Sequence, residues 1–254
     1  MKELPAKEDA FGGTAVSSSS LPHDPDQFRV LLQRSLKKWA VSGYKVVWLE
    51  IDISRARLIP IAAEEQFCFH HSGESYVMMI RRLIDNAFVP PYASHYIGAG
   101  GVVVNRKKEI LVVREKRLGQ TGSGSFKLPG GLLHVGEHVA DGVVREVFEE
   151  TGVETKFVSV ACFRHQHGYR YGKSDIYMVC RLTPLAERIT KQEEEIEECR
   201  WMPLDMYLSG EVASKFNKKI VLAATRSPGL NSTQIEGYGE PSKREVFMPP
   251  EICS

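Results

Sequence analysis

No apolar run in this chain approaches 18 residues, so nothing in it reads as a membrane span. An excess of either charge is also missing: 33 basic residues face 32 acidic ones, for a net charge of +1. That balance gives no basic footprint for nucleic acid or for an acidic membrane surface. Cysteine is sparse. The five residues (Cys68, Cys162, Cys180, Cys199, Cys253) are odd in number, scattered and never arranged C-x-x-C. This argues against a disulfide framework or a zinc site, and for free thiols in a reducing compartment. The first residues, MKELP, carry neither the apolar core of a secretion signal nor an Arg-rich transit pattern. The expectation is a cytoplasmic protein, with the nucleus left open, that takes neither membrane nor nucleic acid as partner. With 43% hydrophobic and 26% charged residues the composition is that of a globular chain. Its 254 residues suffice for one large domain or two small ones.

Residues 1–24 are small, polar and interrupted by Pro and Gly, with Ser17 to Ser20 in a row, and read as a disordered tail. Order is expected from Asp26. Phe28, Leu31, Leu32, Leu36 and Trp39 mark one face of a helix that Gly43 closes. Residues 44–51 (YKVVWLEI) read as a strand. Ser54 is the expected cap of a second helix, with Pro60 as its irregularity, and residues 67–70 and 76–80 read as two more strands. Residues 25–92 thus form a small α+β unit, which buries little on its own and is expected to dock on something. Pro90-Pro91 marks its end. In residues 93–225, strands are expected at 97–104, 110–114, 158–163 and 175–182, with helices at 203–208 and 211–225. Residues 119–125 read as a flexible loop. Residues 226–254 hold few apolar side chains and read as a loose tail. No internal repeat is present.

The most informative stretch runs from Gly131 to Val153, GLLHVGEHVADGVVREVFEETGV. Residues 138–151 lack Pro. Val139, Val143 and Val147 recur every four residues, with Val144 and Phe148 alongside, so an apolar stripe can face a core. Gly152 suits the left-handed residue that ends a helix. Glu146, Glu149 and Glu150 stand at i, i+3 and i+4, so the three carboxylates are expected together on the opposite face. Crowded carboxylates repel unless a cation joins them, and hard divalent ions, above all Mg²⁺, suit oxygen ligands. Arg145 is the one cation of this helix and reads as the orienting partner of a neighbouring Glu. Glu137 sits at the helix entry, where a carboxylate meets free amides and the positive end of the dipole.

This pattern, G-x5-E-x7-R-E-U-x-E-E-x-G-U with U a bulky aliphatic, resembles the signature of the Nudix hydrolases without a departure. The resemblance implies an α/β fold: a Nudix α/β/α sandwich with a smaller amino-terminal α+β (acetyltransferase-like) domain. It implies Mg²⁺ as cofactor, with Mn²⁺ as substitute, and hydrolysis of a nucleoside diphosphate linked to a moiety X into NMP and phospho-X. By position, Glu146, Glu149 and Glu150 become metal ligands and catalytic residues, with Gly131 at the metal site and Glu137 and Arg145 as its supports. Nudix chains often carry a Glu-Ile before a strand ending in Trp, and that Glu falls on Glu195. Taken as composition, the acidic run around it is a solvated face.

The likeness extends past the box. Leu36, Trp39, Gly43 and Trp48, then LIPIA, FCFHH, YASH, ILVVREK, GKSDIYMVC and RWMP, resemble a eukaryotic subgroup with an amino-terminal pre-Nudix domain. That subgroup includes the fibroblast growth factor antisense Nudix protein and plant ADP-ribose/NADH pyrophosphatases, and it implies a homodimer. ADP-ribose and NADH are therefore the first substrate candidates. Lys127 and Arg114 are candidates for positive charge near a diphosphate. Arg164 and His167 lie in a polar stretch suited to phosphate or base, and Tyr169 stands where diadenosine-polyphosphate enzymes often carry Tyr. His70, His71 and His95 read as structural. Two other readings stay open: a dimeric regulatory protein that keeps the fold with little turnover, and cap processing of RNA.

Overall fold

A computed structural model describes residues 3–116 and 124–252, which separate into two compact units at Ala93/Ser94. The expected loop at 119–125 therefore lies mostly outside the described residues.

The first unit is a five-stranded mixed sheet in the order β1-β2-β3-β5-β4, built from Lys7–Glu8 (β1), Thr14–Val16 (β2), Val46–Asp52 (β3), Cys68–Ser72 (β4) and Tyr76–Arg82 (β5). Helix α1, Pro25–Val41, lays Phe28, Leu32, Leu36 and Trp39 on Val47, Leu49, Ile51 and Met79. Asp24 caps it by accepting from the Asp26 amide, and Pro25 occupies the first turn, where no donor is needed. The second helical stretch differs from expectation. Asp52 caps a 3₁₀ turn, Ile53–Leu58, by accepting from the Ser54 amide, so Ser54 is the donor. Pro60 then opens helix α2, Ile59–Glu64, in its first turn, where it causes no kink.

The disordered tail expected at 1–24 is instead part of this fold from Glu3 onward. Leu4, Val16 and Leu21 are core residues, and the Leu4 amide donates to the buried Ser35 hydroxyl at 2.9 Å. β2 runs parallel to β3, Asp9 accepts from Trp48 Nε1 at 3.0 Å, and the Ser18 hydroxyl accepts from the Asp52 amide at 2.9 Å. The segment has little apolar content, yet places it at three points that the core needs. Polar side chains satisfy the backbone between them.

The second unit is the α/β/α sandwich. Its central sheet has the order β8-β6-β10-β9, from His95–Val103 (β6), Gly130–Leu132 (β8), Thr155–Gln166 (β9) and Ser174–Pro184 (β10). Strands β7, Glu109–Glu115, and β11, Ile196–Pro203, pair beside it. Alternation along the strands sends side chains to both faces. Ala99, Val103 and Leu111 meet Val143 and Val147 of helix α3, Val139–Thr151. Val102, Ile110 and Val112 meet Tyr207 of α4, Leu204–Ser209, and Val221 and Ala224 of α5, Lys215–Arg226.

The loose tail expected after residue 225 is likewise corrected. Leu230 exchanges both backbone hydrogen bonds with Val160, at 2.9 and 2.8 Å. Asn231–Thr233 (β12) pairs with Val246–Met248 (β13), and Phe247 packs on Phe157. Backbone pairing, which composition does not report, holds this segment down.

These placements yield a test. Leu21→Ala removes a buried side chain and is expected to destabilise the first unit by about 2–5 kcal/mol in urea unfolding. A change within about 0.5 kcal/mol, the usual effect at a surface position, would return residues 1–24 to the status of a tail.

Candidate active site

Helix α3 presents its carboxylates in two different environments, not on one solvated face. Val143, Val147 and Glu150 stand at i, i+4 and i+7, so Glu150 continues the apolar stripe and is only 8% exposed. Phe148, expected alongside that stripe, is 50% exposed. Glu149 is exposed, and Glu146 lies between the two extremes. Gly152 ends the helix at φ 70°, in the left-handed region.

Arg145 ties the cluster together. Its guanidinium donates to Glu137 at 2.7 and 2.9 Å, to Glu146 at 2.9 Å and to Glu149 at 2.9 Å. It also donates to the Leu132 carbonyl at 3.2 Å, linking the helix to β8. Arg145 is therefore held protonated far above its ordinary range, chiefly by Glu137. Glu137 in turn is pulled down to about 2, first by the Arg145 hydrogen bonds and, against the cost of burial, by the His134 amide, which donates at 2.8 Å.

The glycines of the box permit close approach. A Cβ on Gly131 would lie 2.5 Å from Glu146 Oε2, so this carboxylate rests against bare backbone. The Gly130 amide donates to Glu150 at 2.9 Å. Burial pushes Glu150 up to about 7, while Lys127 and the Gly130 amide pull it down and Glu146 and Glu115 push it further up. Among the described residues no ion pair includes Glu150, and no three His, Cys, Asp or Glu side chains converge closely enough to hold a metal. Three of the carboxylates, those of Glu137, Glu146 and Glu149, meet the Arg145 guanidinium instead. A buried carboxylate with no ion pair among the described residues, beside Glu146 and the Gly130-Gly131 backbone, is an oxygen-only donor set that fits a hard divalent cation.

Two family descriptions match the chain: a Nudix hydrolase domain over residues 4–83 and a NUDIX domain over residues 94–223. Nudix hydrolase 2 of Arabidopsis thaliana is 41% identical over 207 residues, covering 81% of this chain and 74% of that protein. Nudix hydrolase 8 of the same plant is 41% identical over 203 residues, covering 79% of this chain; the chain spans only 55% of that relative's length. Human nucleoside diphosphate-linked moiety X motif 6 is 37% identical over 211 residues, covering 80% of this chain and 66% of that protein. The chain belongs to the Nudix hydrolase family.

Within this Nudix frame the other candidate residues are scattered. Lys127 lies beside the box, bridged to Val113 in the sheet and ion-paired with Glu115. Arg114 is taken up by Glu197 at 3.3 Å and by Glu198, and it covers the Phe126 ring. Arg164 pairs with Asp175 and lies over Tyr177 and Phe216. His167 meets the Ser174 hydroxyl at 2.9 Å, and Tyr169 meets the Tyr96 ring edge-on. Among the described residues, none of these three bonds to the α3 carboxylates. Glu195 is exposed in the turn before β11. Its amide donates to the Gln192 side chain at 2.9 Å, and the Gln192 amide donates to the Glu150 carbonyl at 3.1 Å. Sequence reasoning missed Glu115, Gln192 and the Leu132 carbonyl. Glu115 alone left a signal, an acidic residue next to Arg114 at the strand end.

The shift at Glu137 has a definite sign. Its folded value lies below its ordinary value of 4.5, so its stabilising contribution is complete above about pH 4.5 and is lost as pH falls toward about 2. Glu137→Gln is expected to cost about 1–2 kcal/mol at pH 7. Urea unfolding across pH should show that gap closing between pH 4.5 and 2. A gap that stays constant over this range would disprove the pairing.

Proposed function

We propose that the chain hydrolyses a nucleoside diphosphate linked to a second moiety, in a divalent-metal-dependent reaction giving NMP and phospho-X, with Mg²⁺ as the cation and ADP-ribose or NADH as the first substrates to test. The observation that carries this reading is Glu150, buried to 8% exposure against the Gly130 amide with no ion-pair partner among the described residues, one helical turn from Glu146. Glu146, Glu149 and Glu150 would hold the cation, with the Gly131 backbone beside them. When bound, it supplies Lewis acidity and lowers the pKa of water.

The chain's own residues do the rest. Arg145 holds Glu146 and Glu149 in place through charge-assisted bonds, and Glu137 fixes Arg145. The absence of a side chain at Gly131 leaves Glu146 its position. The Lys127–Glu115 pair sets local charge beside Glu150. Glu195, linked to the Glu150 carbonyl through Gln192, is a candidate base. The subgroup likeness also supports a homodimer, which light scattering on the full chain would measure.

Turnover of ADP-ribose, NADH, diadenosine polyphosphates, coenzyme A and capped RNA, each with Mg²⁺ or Mn²⁺, tests the reading. Glu149→Gln is expected to lower turnover by about 100-fold or more while the protein stays folded, because the side chain is 55% exposed. Gly131→Ala is expected to leave folding close to normal and to displace the Glu146 carboxylate, lowering turnover by about 10-fold or more. Wild-type rates in Glu149→Gln would end the mechanism. A folded, metal-binding protein silent across the panel would favour the regulatory reading.

A further inference from the structure

Helix α3 begins without a cap of its own. His138 occupies the N-cap position in an extended conformation and makes no capping bond through its side chain. The first free amides, on Val139 and Ala140, donate instead to Glu245, at 2.8 Å to Oε2 and 3.2 Å to Oε1. A cap normally comes from the residue at the helix start. Here it comes from a carboxylate about a hundred residues downstream, far outside the signature stretch.

Three further contacts keep that carboxylate in place. His138 Nε2 donates to the Pro241 carbonyl at 2.9 Å. Glu245 directly precedes β13, which is paired to β12. Phe247 packs into the same apolar cluster as Val139 and Val144 of α3. The carboxylate also meets the positive end of the helix dipole, the favourable end for an anion.

We propose that Glu245 is a positioning residue for the metal-holding helix, capping it from the carboxyl-terminal segment and fixing where its first turn starts. Val139 follows the turn from His134 to His138, and that turn carries Glu137. A frayed first turn releases Glu137 from Arg145, and Arg145 is the residue that orients Glu146 and Glu149. The catalytic part of the inference rests on the function proposed above; the structural part does not.

The experiment uses the full chain with Glu245→Ala, Glu245→Gln and the double variant Glu245→Ala/His138→Ser. Serine at the N-cap position restores a local acceptor for the same turn. Amide hydrogen exchange is read at residues 139–141 and at β12 and β13, together with kcat and KM. Glu245→Ala is expected to speed first-turn exchange by about 10-fold and to lower kcat by about 10-fold with KM nearly unchanged. Glu245→Gln, which keeps one neutral acceptor, falls between, and serves if the alanine variant folds poorly. The double variant is expected to recover most of both effects. Unchanged exchange at residues 139–141 overturns the proposal. So does a defect that His138→Ser cannot repair while β12 and β13 open, since the carboxylate would then only dock the segment. Absence of turnover in the wild type would defeat the proposed function, and the exchange data would still decide this inference.

Discussion

The candidate site depends on one guanidinium. Arg145 gathers Glu137, Glu146 and Glu149, which would otherwise repel one another, and anchors them to the Leu132 carbonyl of β8. Lysine could not replace it. An ammonium is a point charge, whereas the planar fork meets Glu137 with two nitrogens and still reaches the other carboxylates. Since helix, loop and strand each contribute a partner, the arrangement forms only when all three are in register.

That register is set by packing beneath the polar cluster. Val143 and Val147 sit on Ala99, Val103 and Leu111, which fixes the rotation of α3 about its axis. The rotation in turn decides which glutamates are wet and which is buried. The backbone must also pass close to the carboxylates, and side chains are excluded at those points. Gly131 leaves room for Glu146, and Gly130 brings an amide to Glu150.

Much of this was legible in the sequence, and what was not has a physical pattern. The helix with its valine stripe, the closing Gly152 and the pairing of Arg145 with glutamates follow from spacing alone, because helical geometry is local. The burial of Glu150 did not follow, since a carboxylate at i+7 in an apolar stripe looks like surface until the partner strand is placed. The two presumed tails failed for a related reason. Leu4, Val16 and Leu21 are too sparse to register as a pattern, and the reciprocal Leu230–Val160 bonds involve no side chain at all. Arg114 is singled out by its charge, Arg164 and His167 by their polar stretch and Tyr169 by its position past the box, yet each meets its partner across a strand pair or a turn, which the linear sequence does not display.

The charge balance of the cluster carries the argument for a cation furthest. Three carboxylates, those of Glu137, Glu146 and Glu149, share the single guanidinium of Arg145, the fourth, Glu150, meets only the Gly130 amide among the described residues, and the adjacent Lys127 is matched by Glu115. One guanidinium against that many acidic side chains leaves the site net negative. A diphosphate brings further negative charge, and at contact distance in a partly buried site like charges repel by several kcal/mol, about four at an effective dielectric of 20. Protonating Glu150, which burial favours at values up to about 7, removes one charge but leaves the others. A divalent ion removes two and supplies the attraction that oxygen ligands on both sides require. The acidic helix therefore makes sense as a phosphate-handling surface only with a cation between protein and substrate, and without one the same residues would exclude the ligand they are proposed to cleave.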